Sequence, residues 1–74
     1  MSNLVYVVSS ALSAVSYDSE EQELTVYFKK GHYGTYKDVP EDVWEGLLIT
    51  HSLGQSVGQY YNAQIKGQFE YESA

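Results

Sequence analysis

The apolar residues of this chain change their spacing at its single proline, Pro40. Before it they recur every second residue; after it they recur every third or fourth. In "ELTVYFK", Leu24, Val26 and Phe28 fall on one side, and Thr25, Tyr27 and Lys29 on the other. Such alternation, rich in β-branched and aromatic residues, marks a half-buried strand. "ALSAVSYD" before it alternates too, which predicts Leu12 and Ala14 on the face opposite Val15 and Tyr17. The charged "DSEEQE", residues 18 to 23, is the turn between these strands. In "KKGH", Gly31 supplies the backbone freedom of a tight hairpin turn, since it has no Cβ to clash at positive φ. A third strand, "YGTYKD", follows, and Leu4 to Val8 adds a short edge strand or a docking arm.

Beyond this point the spacing is helical. Pro40, with φ already fixed and no N–H to leave unpaired, suits the first helical position. Glu41 and Asp42 then sit at the positive end of the helix dipole. Val43, Trp44, Leu47 and Leu48 form one apolar stripe. A second helix starts near Ser52 or Ser56, both good N-caps. Its apolar positions are Val57, Tyr60, Tyr61 and Ile65, and Gly67 is its expected stop. The tail "QFEYESA" either pairs briefly as a strand or frays. One sheet face and two helix stripes can bury each other. The expected fold is therefore α+β: a small antiparallel meander of three to four strands with two C-terminal helices packed on one face, as a single domain over residues 1–74.

A chain of 74 residues buries only about 60% of the surface its unfolded form exposes, which makes its stability marginal. It has no cysteine, so neither a disulfide nor a thiolate zinc site is available. No apolar run approaches the roughly 18 residues of a membrane span. No Lys or Arg precedes the apolar patch at Leu4 to Val8, as a secretory signal would require. A cytoplasmic protein with no membrane partner is expected.

Ten acidic residues against four basic ones give a net charge of −6. The cations are Lys29, Lys30, Lys37 and Lys66, with no arginine. Nucleic-acid binding draws most of its affinity from cations that neutralise phosphates. The composition disfavours RNA or DNA and suits a protein partner with a basic surface.

The residues offer little for catalysis. His32 and His51 show no metal-ligand spacing, and no G-x-S-x-G elbow accompanies the serines. Glu20, Glu21 and Glu23 lie in a turn, which supplies no cleft to shift a carboxyl pKa. No cofactor, metal or enzymatic activity is expected. Ser56 with Gly58 opens the second helix and is a candidate anion-binding start, against the simpler role of an N-cap.

Eight tyrosines are too many for so small a core. Tyrosine offers large contact area at low entropic cost and is enriched in interfaces, although it also simply suits a pleated strand. Tyr27 lies opposite the Leu24, Val26 and Phe28 face. Tyr27, Tyr33 and Tyr36, with Lys29, Lys30 and Lys37 around the second hairpin, form the candidate interaction surface. Homo-oligomerisation through a sheet edge or the tyrosines is compatible with it.

The order "SSALSAVSYD", "LTVYF", Gly31, a tyrosine strand ending in "DVP", a helix with "LL", then "SVGQYYNAQIKG" resembles the KTSC domain. This short module stands alone in bacterial and phage proteins and also ends some lysyl-tRNA synthetases. The resemblance runs from about Val7 to Phe69 and implies no defined activity. Its synthetase context implies RNA binding as the alternative to a protein partner. That alternative needs Lys29, Lys30, Lys37 and Lys66 to gather beside tyrosines. Apart from the resemblance, the charge of −6 with no arginine makes a chain this small, if viral, a candidate inhibitor that occupies a nucleic-acid-binding surface on a host protein. Two departures stand out. The family's Tyr-x-Tyr would place tyrosines at 34 and 36, whereas this chain has Tyr33 and Gly34. Tyr33 then faces the other way, unless a bulge restores it. The second is an extra helical turn of chain around "THSLGQ", which lengthens either the first helix or the loop. Gln59 also stands where the family often has a basic residue.

Overall fold

The computed structural model describes residues 3–73. Four strands come first: β1 (Asn3–Tyr6), β2 (Leu12–Asp18), β3 (Glu23–Phe28) and β4 (Tyr33–Lys37). Two helices follow, α1 (Glu41–Ser52) and α2 (Val57–Gln64), and then a last strand, β5 (Glu70–Ser73). All neighbours pair antiparallel in the order β1-β2-β3-β4-β5. The sheet therefore has five strands rather than the three to four expected, and the helices precede its last strand. Both extra strands lie at the edges. The "NLVY" segment pairs with β2, and the tail segment "EYES" pairs with β4 instead of fraying.

Strand pairing assigns each side chain to a face. Val15, Tyr17, Leu24, Val26 and Tyr36 share the face under the helices and are buried. Leu4, Ser16, Thr25, Thr35 and Glu72 form one row on the opposite face, and Tyr6, Ala14, Tyr27 and Tyr33 form the next. The expected placement of Leu12 is corrected. Leu12 pairs with Phe28, but Ala14 pairs with Tyr27, so β2 carries an extra residue, Ser13. A bulge of this kind reverses the alternation. Leu12 joins Val15 and Tyr17 in the core, and Ala14 faces outward beneath larger neighbours.

Pro40 sits one position earlier than expected. It is the N-cap of α1 (φ −64, ψ 151), with Glu41 and Asp42 in the first turn. The segment before it is tied down twice: the Val39 N–H donates to the Gln22 carbonyl at 2.9 Å, and the Tyr17 hydroxyl donates to the Val39 carbonyl at 2.6 Å. Tyr17 also stacks on Trp44, with centroids 5.5 Å apart. The extra turn of chain lengthens the helix, since α1 runs to Ser52. It stops at Leu53 and Gly54, whose φ of +72 is the left-handed conformation that glycine adopts freely. Ser56 caps α2 by accepting from the Gln59 N–H at 3.2 Å. That helix ends at Ile65, two residues before Gly67. Leu12, Val15, Leu24, Val26, Val39, Leu47, Val57 and Ile65 form the fully buried centre between sheet and helices.

Candidate functional site

The face of the sheet turned away from the helices has no covering layer among the described residues. Its chemistry changes along the strands. At one end lie the cross-strand neighbours Asp18 and Glu23, and Lys37 beside Glu70. The Lys37 ammonium reaches Glu72 at 3.5 Å on the surface. In the middle are hydroxyls, with Thr25 and Thr35 bonded to each other at 3.1 Å. The other end is aromatic. The Tyr27 and Tyr33 rings meet at 5.4 Å between centroids, tilted by 32°. Tyr33 keeps 45% of its surface exposed, Tyr6 74% and Leu4 50%. Four carboxylates (Asp18, Glu23, Glu70, Glu72) against one lysine make this face acidic.

The pairing decides the placement of the candidate tyrosines. Tyr27 and Tyr33 are opposite each other on the open face. β4 continues without a bulge from Tyr33 to Tyr36, so Tyr33 points away from the core. Tyr36, three residues on, faces inward and is 3% exposed. Its inclusion in an interaction surface is corrected: it is a core residue, with its hydroxyl 2.6 Å from that of Tyr61. The space left by Gly34 is filled by the ring of Tyr71 from β5, which packs on Tyr36 at 4.6 Å.

The lysines do not gather. Lys29 and Lys30 lie in the β3–β4 turn at the tyrosine end, while Lys37 ends β4. Tyr33 and Lys37 stand at opposite ends of β4, roughly 13 Å apart at the rise of an extended chain. Lys66 follows α2, on the helical side of the sheet. Ser56 uses its oxygen as a cap, and Gly58 lies against the Ser9 hydroxyl. His32 stacks on Phe28 at 4.6 Å, and His51 sits in the last turn of α1. Asp18 closes the β2–β3 turn by accepting from the Glu20 and Glu21 N–H groups at 3.0 and 3.3 Å. Among the described residues no group of three His, Asp or Glu side chains converges as metal ligands. No helix there is long and apolar enough to cross a membrane.

Burial pushes up the pKa of four helix-side phenols, those of Tyr17, Tyr36, Tyr60 and Tyr61. For Tyr36 the bond to Tyr61 adds to this effect.

Leu4, Tyr6, Glu70 and Glu72 complete the open face, beyond the residues that the sequence marks for it. The signal for them is the alternation of "NLVY" and "EYES", too short to stand out before the pairing is known.

Known proteins with this pattern agree in fold and say little of activity. The KTSC domain family model matches residues 8–69. An uncharacterised protein of Stutzerimonas stutzeri is 38% identical over 60 residues, covering 81% of this chain and 84% of that one. A lysine–tRNA ligase of Nostoc punctiforme is 36% identical over 63 residues, which cover 85% of this chain but only 10% of the ligase. The crystal structure of a KTSC domain protein from Yersinia pestis superimposes with a TM-score of 0.86 at 24% identity, covering 100% of this chain and 99% of that one. The meander, the two helices and the family match agree on one assignment: the chain belongs to the KTSC domain family.

Proposed function

We propose that this protein is a non-catalytic binding module whose open sheet face docks a protein with a basic surface. The observation that carries the reading is the uncovered face itself. It joins an aromatic end (Tyr6, Tyr27, Tyr33), with Leu4 in the neighbouring row, to an acidic end in one surface. Aromatic anchors bounded by charge are the pattern of a protein interface. The net charge of −6 steers a cationic partner toward it. On the helical side the large exposed apolar residues include Ile49 in α1, Leu53 at its C-cap and Tyr71 on β5.

The test is affinity capture from extract, followed by purification of what is retained and calorimetry at two salt concentrations. The expected partner is basic at its contact surface and binds more weakly in high salt. It loses roughly tenfold or more in affinity to Tyr27→Ala/Tyr33→Ala, as hot-spot aromatics do, and is indifferent to Ile49→Ala/Leu53→Ala. An acidic partner, or one indifferent to the tyrosine changes, contradicts the reading.

A second reading, RNA binding, rests on the lysine–tRNA ligase among the relatives and on Lys29 and Lys30 beside the Tyr27–Tyr33 pair. Stacking of bases on exposed tyrosines is its physical basis. Fluorescence anisotropy with a single-stranded RNA separates the two. Binding that falls with salt and with Lys29→Gln/Lys30→Gln supports RNA; no binding even at low salt removes it.

A further inference from the structure

We propose that the cleft between α2 and the adjoining end of the sheet, on the side away from the open face, binds a carboxylate carried on a small aromatic body. The cleft has a volume of about 810 Å³, within the range of small-molecule sites. Phe28, Phe69 and Tyr71 give it apolar walls, and the Tyr36–Tyr61 pair lies at its lining.

The phenol pair is the first reason to expect a ligand. Tyr36 and Tyr61 are 3% and 7% exposed, and their oxygens are 2.6 Å apart. Two hydroxyls carry two protons, and only one lies between the oxygens. The second has no protein acceptor among the described residues. Two of the other helix-side phenols differ, since Tyr17 donates to the Val39 carbonyl and Tyr60 to the Val43 carbonyl. One phenol proton of the pair is therefore left for an acceptor outside the protein. The cleft that both rings line is where an acceptor can reach it.

Charge is the second reason. None of the ten acidic residues lines the cleft, although the chain is strongly acidic. Its one charged lining residue is Lys66. Gly58, in the first turn of α2, also lines it, and its N–H has no acceptor among the described residues. First-turn N–H groups favour an anion. Phenol, ammonium and amide all donate, and the walls are aromatic. The fitting ligand accepts on one side and is flat and apolar on the other.

Two sources share this chemistry, a free aromatic acid and the C-terminal carboxylate of a chain ending in an aromatic residue. Amide ¹⁵N–¹H correlation spectra, recorded during titration with phenylacetate, N-acetylphenylalanine and phenylacetamide, test the site and tell the sources apart. At least one of the two acids is expected to shift the Gly58, Gln59 and Lys66 amides in a saturable way. The neutral amide is expected to bind about tenfold more weakly, because it lacks the charge-assisted bonds. Tighter binding of phenylacetate identifies a free acid; tighter binding of N-acetylphenylalanine identifies a chain end. The double variant Tyr36→Phe/Tyr61→Phe, which removes both phenol protons from the cleft, is expected to weaken binding about tenfold. Lys66→Gln, at an exposed position that leaves the fold intact, is expected to weaken it severalfold and serves if the double variant does not fold. No shift with either acid, equal binding of acid and amide, or shifts confined to Tyr27 and Tyr33 would overturn the proposal. The open face is untouched by these titrations, so its fate is decided separately.

Discussion

Gly34 is the residue on which the inner face of β4 depends. A Cβ at this position would collide with the ring of Tyr71, which lies over it and against Tyr36. Gly34→Ala is expected to displace that ring and cost about 1–3 kcal/mol, the usual cost of overpacking. Tyr71→Ala should cancel most of this, because the clash is then gone. Urea denaturation of the double-mutant cycle reads the coupling directly, and additive costs would mean that Tyr71 does not occupy the site. The same residues show what could be read in advance. Tyr33 and Tyr36 are three apart, so in a strand they face opposite ways, and only one of them can belong to an outer surface. Their spacing held that information. What fills the gap at Gly34 comes from 37 positions further along, and no local pattern announces it.

The buried phenols give a second test at this scale. Tyr17, Tyr36, Tyr60 and Tyr61 are held above the ordinary tyrosine value, chiefly by burial. In the unfolded chain they ionise near pH 10. Their contribution to stability is therefore complete below about pH 10 and is lost as the pH rises further. Tyr36→Phe is expected to lower stability at pH 8 by about 1 kcal/mol through the lost hydrogen bond. It should also make the fall between pH 8 and pH 11 shallower, since one raised phenol is gone. Urea midpoints at the two pH values check this, and an unchanged fall would contradict it.

Among the elements, β2 carries the least expected feature. Its apolar residues pass from even positions (Leu12, Ala14) to odd ones (Val15, Tyr17), and this change of parity is the sequence trace of the bulge at Ser13. Removing Ser13 leaves Leu12 next to Ala14, and adjacent strand residues alternate, so Leu12 stays in the core. The deletion gives up the Ser13 bonds to the Tyr27 carbonyl and the Val7 N–H, at about 1–2 kcal/mol in total. Deleting Ser16 instead sets Val15 beside Tyr17 and sends one of them to the open face. Circular dichroism and urea unfolding should show the first variant folded and the second unfolded at 25 °C. Equal damage from the two would mean that Ser13 is part of the regular ladder. The helices were more legible than the strands, because Pro40, the acidic pair after it and the Ser56 cap are local signals. The edge strands were less so, since four residues each of "NLVY" and "EYES" give an alternation too brief to separate from loop.

At the scale of the molecule, the decisive property is that, among the described residues, the five-stranded sheet is covered on one side only. The helices bury the face bearing Leu24 and Val26. The other face joins tyrosines to carboxylates, on a chain whose net charge is −6. Salt should therefore weaken partner binding chiefly through the association rate, as it does for steered encounters. Stopped-flow mixing at two ionic strengths would show this, and a salt-independent association rate would argue against steering. The most direct test of the open face is a photo-crosslinker, p-benzoylphenylalanine, placed at Tyr33 in one variant and at Leu53 of the helical side in another. After irradiation in extract, a discrete adduct with a basic protein is expected from position 33 and none from position 53. An adduct from position 53 alone, or none from either, would contradict the assignment of the open sheet as the working surface.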